Sequence, residues 1–141
     1  MSLRALWIKL NTHQSQSEEL PDVVSEAYLG GRGAATWMLA NRLPPNIGPL
    51  SPANLLIFSA GTLAGTGIAA TGSFVVSTRS PLTGAIAHAW GQGRWGGSLR
   101  RAGYDLLVCE GQAEEWCYIQ IDEGQAHVRS AHKLLGLDTA A

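Results

Sequence analysis

The chain has 141 residues, 45% of them hydrophobic and 15% charged, with a formal net charge of −1. That length suits a single domain, 1–141, with a sizeable core. The near-neutral balance, without a basic run or an aromatic–basic stripe, excludes the electrostatic footprint of a nucleic-acid binder, and no apolar run approaches the ~20 residues of a membrane helix.

"MSLRALWIKLNTHQ" lacks the apolar core and small-residue cleavage site of a signal peptide, so a cytoplasmic location is the expectation. Cys109 and Cys117 fit that compartment as packed or free thiols. Charged residues fall below the usual ~25%, and 17 glycines and five tryptophans stand out. This composition suggests a surface partly covered by another domain, subunit or bulky ligand.

In chain order, Leu3 to Leu10 alternates as a strand. Asp22 to Leu29 follows Pro21 with helical spacing and is a predicted short helix. "GGRG", Gly30 to Gly33, ends it, and Ala34 to Leu43 is a predicted second helix stopped by Pro44 and Pro45. Leu55 to Ala60 and Phe74 to Ser80 are predicted strands, and Ala85 to Trp90 is a third after the turn "PLTG". Gly93 to Ala102 opens as a glycine loop and closes as a helix. Tyr104 to Glu110 and Glu115 to Asp122 are the clearest strands, the latter turning through "EGQ" into "AHVRS". A last short helix lies near "AHKLLG", and Asp138 or Thr139 is placed to cap another, so the chain looks cut rather than finished. Many short strands without regular strand–helix alternation argue for an α+β fold.

Several patterns bear on function. "GTLAGTGIAATGS", Gly61 to Ser73, concentrates glycine between two strands. It is not a P-loop, because Gly72 is followed by Ser73 and Phe74 rather than by lysine. Nor is it a dinucleotide fingerprint: Gly65 and Gly67 follow a strand, but a β-branched stretch comes where a helix should open. The four histidines show no metal-ligand spacing. His88 reads as a hydrogen-bonded core histidine rather than a ligand contact, and His127 and Arg129 as the wet face of a strand. No GxSxG elbow is present, and both cysteines sit in strand patterns where burial keeps a thiol inert, consistent with facing positions across a hairpin. "GGRG" reads as a left-handed glycine stop between helices, with Arg32 open as an anion contact. "AWGQGRWGG", Ala89 to Gly97, combines glycines, two tryptophans and Arg94 in a way that suits ligand or interface contact as well as core packing.

Five segments then fall in one order and spacing: "YLGGRGAA" at 28–35, "LSPANLLIFSAGTLAGTG" at 50–67, "STRSPLTG" at 77–84, "RAGYDLLVCEG" at 101–111 and "AHKLLGLDT" at 131–139. Together they resemble the N-terminal domain of the aldehyde ferredoxin oxidoreductase family, the tungsten-pterin enzymes. The resemblance implies an α+β fold with two β-sheets and a few short helices, forming the base for a tungstopterin or molybdopterin cofactor. It implies an aldehyde-to-carboxylic-acid oxidoreductase that passes electrons through a [4Fe–4S] cluster to ferredoxin. The cluster and the residues nearest the metal belong to later helical domains, so the implied partners are those domains or a separate catalytic subunit, and no turnover is expected from this chain alone. The implied cofactor-binding residues are Gly65, Thr66, Gly72, Ser73, Trp90, Gly91, Gly93 and Arg94. Two depart from the family pattern: Ser73 stands where an arginine usually meets the cofactor phosphates, and Trp90 where an asparagine is usual. Gln92 also replaces one glycine of a pair, leaving Arg79 or Arg94 to supply the charge. A non-catalytic binding or assembly module built on the same domain is the alternative reading.

Overall fold

A computed structural model describes residues 2–138. Its main feature is a six-stranded sheet with order β2-β1-β6-β3-β4-β5, in which β1–β6 is parallel and the other pairs are antiparallel. The strands are β1 (Arg4–Lys9), β2 (Gln14–Glu19), β3 (Leu55–Ala60), β4 (Phe74–Arg79), β5 (Ile86–Gly91) and β6 (Leu106–Glu110). A separate two-stranded sheet is the hairpin of β7 (Cys117–Asp122) and β8 (Gln125–Ser130). The helices are α1 (Asp22–Tyr28), α2 (Gly31–Arg42) and α3 (Trp95–Arg101). Two sheets with short helices give the expected α+β class.

Period-two alternation builds a core on each face of the large sheet. Ala5, Leu55, Ile57, Leu106 and Val108 face α1 and α2 and meet Val24, Ala34, Ala35, Met38 and Leu39. Leu6, Ile8, Ala60, Leu107 and Cys109 face the other way, toward Leu99 of α3 and toward Ile119, Ile121, Ala126 and Val128 of the hairpin. The central strand β6 is buried on both faces, which is why "LLVC" is apolar without alternation. Asp105, just before it, accepts the Arg4 backbone N–H at 2.8 Å and pairs with Arg100 of α3. This ties α3 to the start of the parallel pair. The Tyr104 hydroxyl donates to the Gly124 carbonyl at 2.7 Å and pins the hairpin turn.

Several expectations need correction. "QSQSEE" forms β2, an edge strand whose polar side chains hide the strand signal. α2 begins at Gly31 rather than Ala34, so "GGRG" is mostly the first turn of a helix. The left-handed residue that stops α1 is Leu29, at φ 61°. Gly33 is glycine because a Cβ there would stand 2.8 Å from the Tyr28 carbonyl oxygen, where the two helices meet. The cysteines do not face each other across a hairpin: Cys109 lies in the large sheet between β1 and β3, and Cys117 opens the hairpin strand opposite Ser130. The last helix is a single 3-10 turn, His132–Leu134. Asp138 lies outside any helix, and Thr139, the other expected cap, lies outside the described residues.

Candidate functional site

Register brings the glycine-rich segments together at one end of the large sheet. Ala60 pairs with Phe74, and Phe74 with Gly91, so β3 ends, β4 begins and β5 ends side by side. The Gly61–Ser73 loop and the Gln92–Arg94 connection therefore leave from one place. The N-terminus of α2 joins them, since Gly31 stands beside the Ala60 carbonyl and Gly61, and the Thr62 hydroxyl donates to the Leu29 carbonyl at 2.8 Å. Segments that the sequence offers as separate candidates form one surface.

Glycine is required here by close backbone contact. Gly72 lies against the Gly93 carbonyl with no room for a side chain. A Cβ on Gly96 would stand 3.1 Å from the Ser73 carbonyl oxygen, and one on Gly65 would stand 3.3 Å from that of Gly97. The first turn of α3 is thus seated on the loop, backbone to backbone. Gly91 leaves space for the Phe74 ring, which packs against Trp95 with centroids 4.8 Å apart. Ala70 adopts φ 63°, a strained conformation for a residue with a side chain, and it lines the opening.

The opening is a cleft of about 330 Å³ lined by Ala70, Gly72, Ser73, Gln92 and Gly93. Ser73 and Gln92 offer a hydroxyl and a carboxamide, and Arg94 follows Gly93 as an exposed guanidinium at the start of α3. Among the described residues Arg94 has no carboxylate partner. Of the eight expected site residues, Gly72, Ser73 and Gly93 line this cleft. Gly91 and Arg94 flank it in the chain, while Gly65 is pressed under α3. The Thr66 hydroxyl donates to the Leu63 carbonyl at 2.7 Å. Trp90 is 65% exposed on β5, with the Arg32 guanidinium 5.9 Å above its ring centroid. Arg79 does not reach the cleft: it pairs with Ile86 at the far end of β4 and donates to the Gly84 carbonyl.

Two arginines, Arg32 at the start of α2 and Arg94 at the start of α3, lie at this end, while Arg79 lies at the far end of β4. Residues 27–104 contain six arginines and no aspartate or glutamate, a segregation that the net charge averages away. Arg42 pairs with Glu18 and Arg100 with Asp105. Arg32, Arg79, Arg94 and Arg101 have no carboxylate partner among the described residues. This signal was readable in the sequence as a local count.

The remaining titratable groups serve the fold. His88 shares a 2.9 Å hydrogen bond with the buried Ser77 hydroxyl, and burial followed by the nearby Arg32 charge lowers its pKa. Burial, followed by Cys117, pushes the Cys109 thiol up to about 11, which keeps it protonated and unreactive at neutral pH. Among the described residues no group of three or more His, Cys, Asp or Glu side chains is placed to hold a metal ion. No helix among them is long and apolar enough to cross a membrane.

Comparison with known proteins agrees with this architecture. The sequence profile of the aldehyde ferredoxin oxidoreductase N-terminal domain matches residues 5–141. The tungsten-containing aldehyde ferredoxin oxidoreductase of Pyrococcus furiosus is 39% identical over 133 residues, which is 94% of this chain and 22% of that protein. Its counterpart from Thermococcus kodakarensis is 38% identical over the same shares. The chain therefore spans less than a quarter of the curated relatives it matches. Among solved structures, the active-site complex BamBC of benzoyl coenzyme A reductase, with 1,5-dienoyl-CoA, superimposes with a TM-score of 0.91 at 34% identity. That match covers 96% of this chain and 21% of the other. The chain belongs to the aldehyde ferredoxin oxidoreductase family, in which it matches the N-terminal domain.

Proposed function

We propose that this chain is the cofactor-supporting domain of a tungsten or molybdenum oxidoreductase that converts aldehydes to carboxylic acids and delivers the electrons to ferredoxin. The carrying observation is the Gly72–Ser73–Gln92–Gly93 cleft, whose donors are free to meet a ligand and which stands in a stretch without carboxylates. Ser73 hydroxyl, Gln92 carboxamide and Arg94 guanidinium suit a phosphate ester, and close-packed glycines let backbone N–H groups approach it. The donors thus fit the phosphate end of a pterin cofactor. When bound, that group supplies the redox chemistry, and the metal and cluster ligands come from the remaining domains or a separate subunit. The residues of this chain bind and orient the phosphates, with Gly65 and Thr66 shaping the loop and Gly91 fixing its exit. An arginine at the Ser73 position would give a bidentate contact; here Arg94, which follows Gly93 in the chain, is the guanidinium that would supply the charge.

The test is metal and pterin analysis of the chain purified with the rest of its oxidoreductase. Tungsten or molybdenum with bound pterin, reduced by Ser73→Ala combined with Arg94→Ala, supports the proposal; their absence refutes it. A second reading, a non-catalytic assembly module, draws on the exposed Trp90 as an interface anchor. It requires Trp90→Ala to abolish association with the partner segment in a cofactor-free preparation.

A further inference from the structure

The outer edge of β2 is an open ladder. Leu20 donates its backbone N–H to the Leu3 carbonyl at 2.8 Å, while Arg4 and Leu10 turn their backbone groups to the β6 side, at Asp105 and Glu110. Alternation along the register then fixes the direction of each residue. Gln14, Gln16 and Glu18 turn their N–H and C=O groups toward β1, and Ser15, Ser17 and Glu19 turn theirs outward. No strand lies on that side of β2, and among the described residues no further backbone hydrogen bond reaches those outward groups. Natural edges are commonly blunted by lysine, proline or a bulge. β2 has neither residue, and its pairing with β1 runs without interruption from Gln14 to Glu19. Clefts of about 280 Å³, against Trp7 and Lys9, and about 350 Å³, against Leu6 and Tyr104, flank the strand on its two faces and share Ser15 and Gln16. Neither covering layer closes over the edge.

We propose that this edge pairs with the same edge of a second copy of the chain, antiparallel about a two-fold axis at Ser17, to make one continuous sheet across a dimer. The strand is self-complementary in that register. Ser15 meets the second copy's Glu19, Ser17 meets its own equivalent, and Glu19 meets the second copy's Ser15, so every outward N–H finds an outward carbonyl. Between these pairs Gln16 stands opposite the second copy's Glu18 in a close, non-hydrogen-bonded pair, where its carboxamide N–H donates to the carboxylate. Glu18 is already paired with Arg42 of α2, which balances its charge as it is covered. A shift of two residues one way sets Glu18 against Glu18, and the same shift the other way puts Glu19 opposite His13, beyond the strand. An in-register parallel arrangement stacks the glutamates on one another. β2 and β5 are the two opposite edges of the sheet, so the pairing leaves the glycine-rich cleft open and does not depend on what it binds.

The test is sedimentation velocity on the protein purified with the rest of its oxidoreductase, where two copies per particle are expected. Ser17→Pro removes an outward N–H that a single copy leaves unused, so it should halve the particle mass while circular dichroism stays unchanged. Ser17→Cys places two thiols across the axis with Cα atoms about 5.5 Å apart, within disulfide reach. It should give a covalent dimer on mild oxidation, traced by peptide mass to position 17. Gln14→Cys, whose equivalents lie about 20 Å apart in this register, should not. If Ser17→Pro fails to fold, the two cysteine variants decide the question alone. One copy per particle, a dimer whose mass survives Ser17→Pro, or a Ser17→Cys protein that does not cross-link to itself overturns the edge pairing. A cross-link from position 17 to a different polypeptide gives the edge another occupant and overturns it as well.

Discussion

Gly72 and the Gly93 carbonyl are in backbone contact across the mouth of the cleft, leaving no volume for a methyl group between them. The obstacle is main chain, which does not swing aside as a side chain does. Gly72→Ala should therefore displace the loop from α3 and destabilise the domain by about 1–3 kcal/mol, lowering Tm by several degrees in a thermal melt. Gly61→Ala is the internal control, since Gly61 has open space around its Cβ position and no positive φ. Its melt should match the parent within about 0.5 kcal/mol.

Asp105 predicts a larger loss. Its buried carboxylate accepts the Arg4 N–H and pairs with Arg100. Asp105→Ala orphans both partners and should cost about 2–4 kcal/mol in urea unfolding. Asp105→Asn keeps an acceptor for Arg4 and should lose clearly less. Equal losses would show that the Arg4 bond contributes nothing.

Cys109 sets a pH dependence. Its thiol is raised to about 11 in the fold, from an ordinary 9.0. The unfolded chain therefore sheds this proton first as pH rises. Between about pH 9 and 11 the unfolded state holds fewer protons, so stability must fall across that window and not below it. Cys109→Ala should flatten this part of the curve, measured by denaturant titration at each pH. At pH 8, iodoacetamide should modify Cys117 in the folded protein and leave Cys109 untouched.

Trp7 carries a buried indole N–H without a hydrogen-bond partner among the described residues. Trp7→Phe removes that unpaired donor together with some packing, two effects of opposite sign. The net change in unfolding free energy should stay within about 1 kcal/mol, while Trp7→Ala should cost about 3 kcal/mol. A loss for Trp7→Phe as large as that for Trp7→Ala would contradict the unpaired donor.

The elements legible in the sequence were those buried on at least one face. "LLIFSA", "FVVSTR" and "LLVCE" announce β3, β4 and β6 within a residue or two, because apolar and β-branched side chains fill the two cores. β2 was invisible for the same reason inverted: nothing in "QSQSEE" reaches a core, and the strand exists because Trp7 and its neighbours offer it a ladder. The start of α2 was misplaced because Gly30, Gly31 and Gly33 signal a break, whereas they answer the approach of Tyr28, Thr62 and Ala60 from elsewhere in the chain. At the site, the Gly61–Ser73 glycines and the Ala89–Gly97 segment with its two tryptophans were recognisable individually. Their convergence depended on the Ala60–Phe74–Gly91 register, a long-range property that no local pattern carries.

The parallel pairing of β1 with β6 has a consequence for how this domain comes into being. Leu6 meets Leu107 across the middle of the sheet, closing a chain excursion of about a hundred residues, and both glycine-rich cleft walls lie inside that excursion. On the ribosome, β1 waits for most of the domain to emerge before its parallel neighbour exists, while the β3–β4–β5 meander is free to form from local contacts. The glycine-rich end thus belongs to the part of the sheet with the most local pairing, and the elements that close it, α3 and β6, lie later in the chain.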